Sequence, residues 1–546
     1  MQSIPYFGKF ESMILRSIPI SVLLVFVLSV FSPSAIRAQN DIENDIEKLE
    51  KFLKNLDQNY VDEVETKAIV EEGMRRMLEE LDPHSVYLDK DAYERANEPL
   101  KGKFKGIGVR FLMINDTMTI LELIPGGAAE KTGILMGDQI IAIAGDTISG
   151  IDISSRNVSR KIKAAESDEM EFDILRNHPD RRSMTLIIER SEVEVSSVPA
   201  SFMIDNRTGY IKLERFSASS LSDFRDGLDE LKKEKVKNLI LDLRGNGGGY
   251  LNMAIKIADE FLEDRKLIVY TQGLHQDKRE TFANSGGRYT DGALYLLIDA
   301  NSASASEILA GAIQDLDRGL IIGRRSYGKG LVQRTVEFSD GSAMRLTISR
   351  YYTPTGRSIQ RPYEQGVDVY REEIRQRTLS GELLSADSID IVDSLIYFTP
   401  SKRKVYGGGG IVPDVFVSQD TTHYPEVIIA MRRSSLFDGF ALDLALKEGE
   451  LIKDASGNVN AFIQDFHLGA EQLTSIERFI AKRGIEIEDG ALEAHAEMVE
   501  RFVKIPLARY VFGREAFYQA MTAYDDDVVA TLAAINEGTV KELGLR

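Results

Sequence analysis

Three loops concentrate the side chains that could do chemistry. Gly245-Asn246-Gly247-Gly248-Gly249-Tyr250 follows a run of branched residues, Val236 to Leu243, and precedes a helical stretch, Met253 to Leu262. It looks at first like a dinucleotide loop, but G-x-G-x-x-G needs glycine at 250 and finds tyrosine, so a nicotinamide site is excluded. Gly323 to Gly330 satisfies G-x-x-x-x-G-K, yet Gly330 stands where a magnesium-ligating Ser or Thr should follow, which argues against a nucleotide loop. A glycine-rich loop at a strand end still exposes backbone N–H groups. Each such donor, aimed at a developing oxyanion, can take about 2.7–4 kcal/mol off an acyl-transfer barrier. The third loop, Asn301-Ser302-Ala303-Ser304-Ala305-Ser306, sets three serines among small neighbours at a helix start, where the helix dipole favours negative charge. Helix N-capping is the commonest job of serine at such a position and stands as the structural alternative for each of the three.

A serine nucleophile needs a base. The chain has six histidines, His84, His178, His275, His423, His467 and His495, and none has a Gly-x-Ser-x-Gly partner. Lys329, between Gly328 and Gly330 and followed by Leu331 and Val332, is the other candidate. Lysine serves as a base when burial lowers its pKa from ~10.4 toward about 7–8. An exposed loop lysine is the plainer reading of that turn by itself. Zero cysteines removes cysteine nucleophiles, thiolate metal sites and disulfides.

The elements that must position these loops are legible in the hydrophobic pattern. Between Asp41 and Glu80, Ile42, Ile46, Leu49, Phe52, Leu53 and Leu56, then Ile69, Met74 and Leu78, have helical spacing and predict two amphipathic helices. Their apolar faces either cover the body of the protein or associate with a second copy. From about Phe104 to Arg190 short strands alternate, with a hairpin turning at Asn115-Asp116 and a short helix ending at Gly133. From Val193 to about Asp420 strands and helices alternate, which predicts a largely parallel sheet with its function at the strand C-terminal ends. Residues 424–546 read as helical, with a covering or assembly role and no assignable motif.

Length and composition agree. The 546 residues imply three to four modules, and 43% hydrophobic with 28% charged residues is the balance of folded soluble protein. The net charge of −19 argues against nucleic acid or anionic lipid as the main partner. Lys9 and Arg16 precede a 14-residue apolar run, Ile18 to Phe31, and small residues lead to Ala38. That run suits a signal peptide and is shorter than the ~20 residues that span a bilayer. Export with cleavage after residue 38 is the expectation; an uncleaved membrane anchor is the alternative.

The 104–190 region, with Pro125-Gly126-Gly127-Ala128-Ala129-Glu130-Lys131-Thr132-Gly133 and Met136-Gly137-Asp138, resembles a PDZ domain. In that family a glycine-rich loop and a strand edge capture a peptide C-terminus; the matching positions here are Phe104, Gly106, Ile107, Gly108 and Val109. A PDZ fold kept only as a rigid spacer is the alternative. From 40 to 420 the chain resembles the C-terminal processing peptidases, serine peptidases of family S41. Seven ordered motifs carry the resemblance: LDPHSVYL (81–88), PGGAAEKTGILMGD (125–138), LILDLRGNGGGYL (239–251), NSASASEILAGA (301–312), SYGKGLVQ (326–333), YYTPTGRSIQ (351–360) and GGGGIVPD (407–414).

The resemblance implies a multidomain α+β protein: a PDZ β-sandwich-like module inserted in or preceding an α/β crotonase/ClpP-like catalytic core, with helical N- and C-terminal regions. The implied boundaries are 1–38 signal peptide, 39–98 helical region, 99–190 PDZ, 191–423 catalytic core and 424–546 helical region. It places the nucleophile on Ser304, the base on Lys329, an orienting side chain on Gln333 and the oxyanion donors on the Gly248 and Ala305 amides, with Ser302 and Ser306 as rival nucleophiles. Glu307 and His84 receive no catalytic role; His84 is expected to hold its own turn. The implied activity is an exported endopeptidase, in the periplasm or cell envelope, acting on proteins with exposed C-termini. No cofactor or metal is expected, and a homo-oligomer is left open. A non-enzymatic PDZ scaffold and a crotonase-like acyl-CoA enzyme are the competing classes, the latter disfavoured because export removes acyl-CoA.

Overall fold

The computed structural model describes residues 33–545 except 285, 421–423 and 482–489. The expected signal segment lies outside the described residues as far as residue 32, as does His423. Among the described residues no helix is long and apolar enough to cross a membrane. The chain divides into two compact units between Met77 and Leu78. The first holds α1 (Pro33–Asn59) and most of α2 (Thr66–Glu79), the two helices that the spacing predicts. On α1 the side chains of Ile42, Ile46, Leu49 and Phe52 are exposed.

The second unit opens on a turn held by Asp82, whose carboxylate accepts from the His84 and Ser85 amides and from Ser85 Oγ. Then come β1 (Val86–Leu88) and α3 (Lys90–Lys101). Residues 103–194 have their own core. β2 (Lys103–Gly106) pairs with β9 (Ser191–Glu194), while β3 (Val109–Ile114), β4 (Thr117–Leu123), β5 (Gln139–Ile143), β7 (Glu169–Arg176) and β8 (Arg182–Glu189) form an antiparallel sheet in that order. β6 (Asp146–Thr147) joins β5, and α4 (Ser155–Ala164) packs Val158 and Ile162 into the core. The hairpin turns where expected: Asn115 and Asp116 both have positive φ, 50° and 52°, as a tight two-residue turn between twisted strands requires. Because β3 is the last strand of its sheet, its outer edge is unpaired among the described residues.

The α/β region follows. β10 (Ala200–Met203), β11 (Thr208–Lys212), α5 (Ser220–Lys233), β12 (Asn238–Asp242), α6 (Leu251–Asp259), β13 (Leu267–Gly273), β14 (Gln276–Phe282), β15 (Ala293–Ile298), α7 (Ala305–Asp315), β16 (Leu320–Gly323), β17 (Leu331–Glu337), β18 (Ala343–Tyr352), α8 (Val367–Leu379), β19 (Ile396–Phe398), β20 (Lys404–Tyr406) and β21 (Val415–Phe416) succeed one another. The main sheet runs β10-β11-β12-β15-β16-β21 and is parallel except for β10. A second, antiparallel sheet runs β1-β18-β13-β14, with β17 also on β18. The 39–98 stretch, expected as a helical region closed by the turn at 81–88, also gives β1 to this sheet, with Val86 opposite Arg345. A three-residue strand is too short to show a period, so the sequence pattern could not reveal it.

Alternation along the strands sorts the two faces of the main sheet. Leu239, Leu241, Leu294, Leu296 and Ile298 face α5, α6 and α7; Ile240, Tyr295, Leu297, Leu320 and Ile322 face the other way. A parallel sheet needs both faces covered. The second cover comes from the far end of the chain, α15 (Asp526–Glu537), through Val528 and Ala534. The tail before it is α9 (Glu426–Arg433), α10 (Leu436–Ser456), α11 (Val459–Asp465), α12 (Ala470–Ala481), α13 (Ala496–Phe512) and α14 (Arg514–Thr522), whose common core includes Ile114 and Leu121 of the 103–194 module.

Candidate active site

β12, β15 and β16, parallel neighbours in the middle of the main sheet, deliver the three loops to one end of it, at their C-terminal ends. β12 leads through Leu243 and Arg244 into the glycine loop, β15 into 299–304, and β16 into 324–330. Hydrogen bonds knit the loops together. Ser302 Oγ donates to the Leu243 carbonyl at 2.9 Å, Ser306 Oγ to the Asn246 carbonyl at 2.8 Å, and the Tyr327 amide to the Ser302 carbonyl at 3.0 Å. Ser302 and Ser306 are both 0% exposed. Their hydroxyls fasten the glycine loop and face no solvent, so neither rival is placed to attack a substrate. Ser304 is half-buried and opens α7 as its N-cap. Its φ of 56° with ψ of −109° is a strained conformation for a residue with a Cβ, worth about 1–3 kcal/mol. Small neighbours make the approach close: a Cβ on Gly248, which has φ +101°, would lie 3.0 Å from Ser304 Cβ and 3.0 Å from the Ala305 nitrogen.

Proximity does not make the Gly248 amide available. It donates to Asn246 Oδ1 at 2.9 Å, while Asn246 Nδ2 donates to the Leu213 carbonyl at 2.9 Å. The expectation that Gly248 presents a free N–H beside Ser304 is therefore corrected: a buried asparagine holds that donor in the present arrangement. Ala305 lies in the first turn of α7, where backbone amides have no partner within the helix.

Lys329 is half-buried, and this partial burial, reinforced by the charge of Arg345, pushes its pKa below the ordinary lysine range against the pull of Asp82 and Glu307. Its Nζ donates to Gln333 Oε1 at 3.1 Å, and Gln333 Nε2 donates in turn to the His84 carbonyl. His84 thus touches this chain of hydrogen bonds through its backbone, and the Asp82 carboxylate caps the turn's amides. The His84 ring meets Tyr370 OH at 2.9 Å and is pushed down to about 4 by burial and by the charge of Lys329.

Glu307 joins the two halves. Fully buried, it accepts from the Ser304 amide (2.7 Å) and the Lys329 amide (2.9 Å) on Oε2, and from the Gly328 amide (2.6 Å) and Ser326 Oγ (2.6 Å) on Oε1. Burial pushes its pKa up while these donors pull it down. A second tie runs through Tyr351, whose hydroxyl faces both the Lys329 carbonyl at 2.6 Å and the Ser304 carbonyl at 3.2 Å. Sequence reasoning missed Glu307. A Glu three residues after an N-cap serine was the one local signal, since that spacing lets the carboxylate reach back to the N-cap amide.

The five residues expected to hold peptide are also brought together. Phe104, Gly106, Ile107, Gly108 and Val109 line a cavity of about 320 Å³ between the β3 edge and α4, with Ser159, Ile162 and Lys163 on the helix side.

The chain is similar to several known proteins. Residues 207–369 match Peptidase family S41, and residues 31–92 match the activating protease CtpB N-terminal domain. The chain is 30% identical over 332 residues to the carboxy-terminal processing protease CtpB of Bacillus subtilis, covering 60% of this chain and 68% of that one. It is 33% identical over 352 residues to the carboxy-terminal-processing protease of Bartonella bacilliformis, covering 62% of this chain and 80% of that one. Among solved structures, the photosystem II D1 C-terminal processing protease aligns with 68% of this chain and 86% of its own at 24% identity and a TM-score of 0.36. The chain belongs to the carboxy-terminal processing serine proteases of peptidase family S41.

Proposed function

We propose that this protein is an exported endopeptidase that captures substrate C-termini in a PDZ module, residues 99–190, and cuts the captured chain with a Ser304/Lys329 dyad. The carrying observation is the single buried carboxylate, Glu307, that accepts from the backbone amides of both residues. Lys329, whose pKa partial burial lowers, takes the Ser304 proton in its neutral form as Oγ attacks the scissile carbonyl, and Gln333 orients its amine. The oxyanion is held by the Ala305 N–H in the first turn of α7. The lysine then returns its proton to the leaving amine, and water, deprotonated by the neutral lysine, releases the acyl-enzyme. At the groove, the free β3 edge accepts an extended peptide as an added strand, with its C-terminal carboxylate at the Gly106-Ile107-Gly108 amides.

Export to the periplasm or cell envelope rests on the apolar segment 18–31, with an uncleaved segment leaving the protein membrane-anchored. The exposed apolar side chains of α1 support self-association as a homo-oligomer. The test of the enzyme reading pairs cleavage with binding on Ser304→Ala. The variant should bind a peptide with a free C-terminus as tightly as the parent and cut nothing; a parent that binds and never cuts would leave a scaffold.

A further inference from the structure

The far end of the chain reaches back to the two loops that carry the proposed dyad. Asp525 caps α15, accepting from the Asp527 amide at 3.0 Å. Asp527, whose side chain is 4% exposed, accepts from two arginines. Arg244 Nη1 reaches its Oδ2 at 2.7 Å and Asp525 Oδ1 at 2.8 Å. Arg324 donates through Nη1 to Oδ1 at 3.0 Å and through Nη2 to Oδ2 at 2.7 Å. Arg244 lies directly before the glycine loop that packs on Ser304, and Arg324 lies directly after β16, at the head of the loop that carries Lys329.

The network is charge-balanced. Arg244 also pairs with Asp242 at 2.7 Å, and Lys212 with Asp242 at 3.1 Å, so Lys212, Arg244 and Arg324 face Asp242, Asp525 and Asp527. Removing one member of a buried set is costly because it strands the opposite charge. Without the Asp527 carboxylate, Arg244 keeps Asp242 and Asp525, but among the described residues Arg324 keeps only the Val417 carbonyl at 3.1 Å. The carboxylate therefore ties the base of the nucleophile side to the base of the lysine side. It does so from the face of the sheet opposite α7.

We infer that Asp527 is a positioning residue for catalysis, and that the C-terminal helix α15 sets the spacing of the two catalytic loops through Arg244 and Arg324. The inference rests on the Ser304/Lys329 reading, and its test separates the two. In the full-length protein, kcat and KM for cleavage of unfolded casein are measured for Asp527→Asn, Asp527→Glu, Arg324→Gln, the double variant Asp527→Asn/Arg324→Gln, and Ser304→Ala. Asp527→Asn should lower kcat at least tenfold with KM within twofold, and Asp527→Glu should recover most of it. Arg324→Gln should lower kcat by a smaller factor, and the double variant should be no slower than Asp527→Asn alone, since both break one tie. Loss of stability alone would reduce the active fraction, which titration of folded protein corrects, and would leave corrected kcat unchanged. If Asp527→Asn fails to fold, Arg324→Gln decides, because it leaves the Asp527–Arg244 pair intact. Corrected kcat within twofold of the parent for both Asp527→Asn and Arg324→Gln, or for Arg324→Gln where it decides, overturns the inference. Cleavage by Ser304→Ala would instead overturn the dyad reading.

Discussion

At the C-terminal end of the main sheet, Ser304 and Lys329 are fastened by a carboxylate with 0% exposure, a buried tyrosine and three interlocked loops. In the groove beside β3 the floor is apolar and the charged rim pairs in the open: Lys105 with Asp168 and Lys103 with Glu192, each partner about half exposed or more. Exposed pairs contribute about 0–1 kcal/mol each, whereas a buried donor left unsatisfied costs about 1–3 kcal/mol. The two regions therefore respond to substitution differently. Changes at the sheet's C-terminal end should move turnover, and changes in the groove should move affinity.

The largest expected effect short of removing the nucleophile or base is at Glu307. Glutamine keeps the shape but turns an NH2 group toward two of the four donors. Glu307→Gln should lower kcat about 10- to 100-fold with KM little changed, measured by steady-state cleavage; a rise in KM alone would erase the distinction between the regions. At the groove, Gly108 has φ +77°, and a Cβ there would lie 2.6 Å from Gly127 Cα. Gly108→Ala displaces the loop and should raise KM about tenfold for substrates with a free C-terminus. It should leave kcat within about twofold, and substrates with an amidated C-terminus should not register the change. Equal effects on both substrates would detach the groove from C-terminal recognition.

The smallest effect is electrostatic. Arg345, which pairs with Asn97 at 2.7 Å, lowers the Lys329 pKa through its charge, whereas Asp82 and Glu307 raise it. On the proposed mechanism activity needs neutral Lys329, so kcat/KM should climb as pH rises through its folded pKa. Arg345→Gln removes a repelling cation, favours the ammonium and raises that pKa, so the acid limb should move to higher pH by a fraction of a unit. A shift toward lower pH would show that another group controls the limb. His84, pushed down to about 4, is neutral across the working range and does not shape this limb.

How much of this was legible depends on sequence distance. The loops were readable because each motif is local: Asn246 to Gly249, Ser302 to Ser306 and Tyr327 to Gly330 carry their chemistry in consecutive residues at strand ends. Alternation in β12 and β15 was equally clear, since a period of two survives in five or six residues. Glu307 was not legible as a fastener because its partners at 326, 328 and 329 approach only when β16 lies beside β15. The Gly248 amide was misjudged for a related reason: whether a loop N–H is free depends on where the Asn246 side chain turns. The role of α15 was hidden more deeply, since Asp527 meets Arg244 from 283 positions away and its arginines look like ordinary surface charges in one dimension.

The central claim is that Lys329, acting in its neutral form, activates Ser304, and Lys329→Met tests it most directly. Methionine keeps the apolar stem and volume and deletes the amine. Because the folded Lys329 pKa lies below its unfolded value, the half-buried ammonium costs stability at pH below the folded pKa, and that cost is relieved as pH rises from the folded toward the unfolded value. Under conditions where the ammonium is populated the variant should melt at the same temperature as the parent or higher. Casein cleavage measured on this folded variant should be abolished while peptide binding in the groove is unchanged. Cleavage at a rate near the parent's would contradict the account.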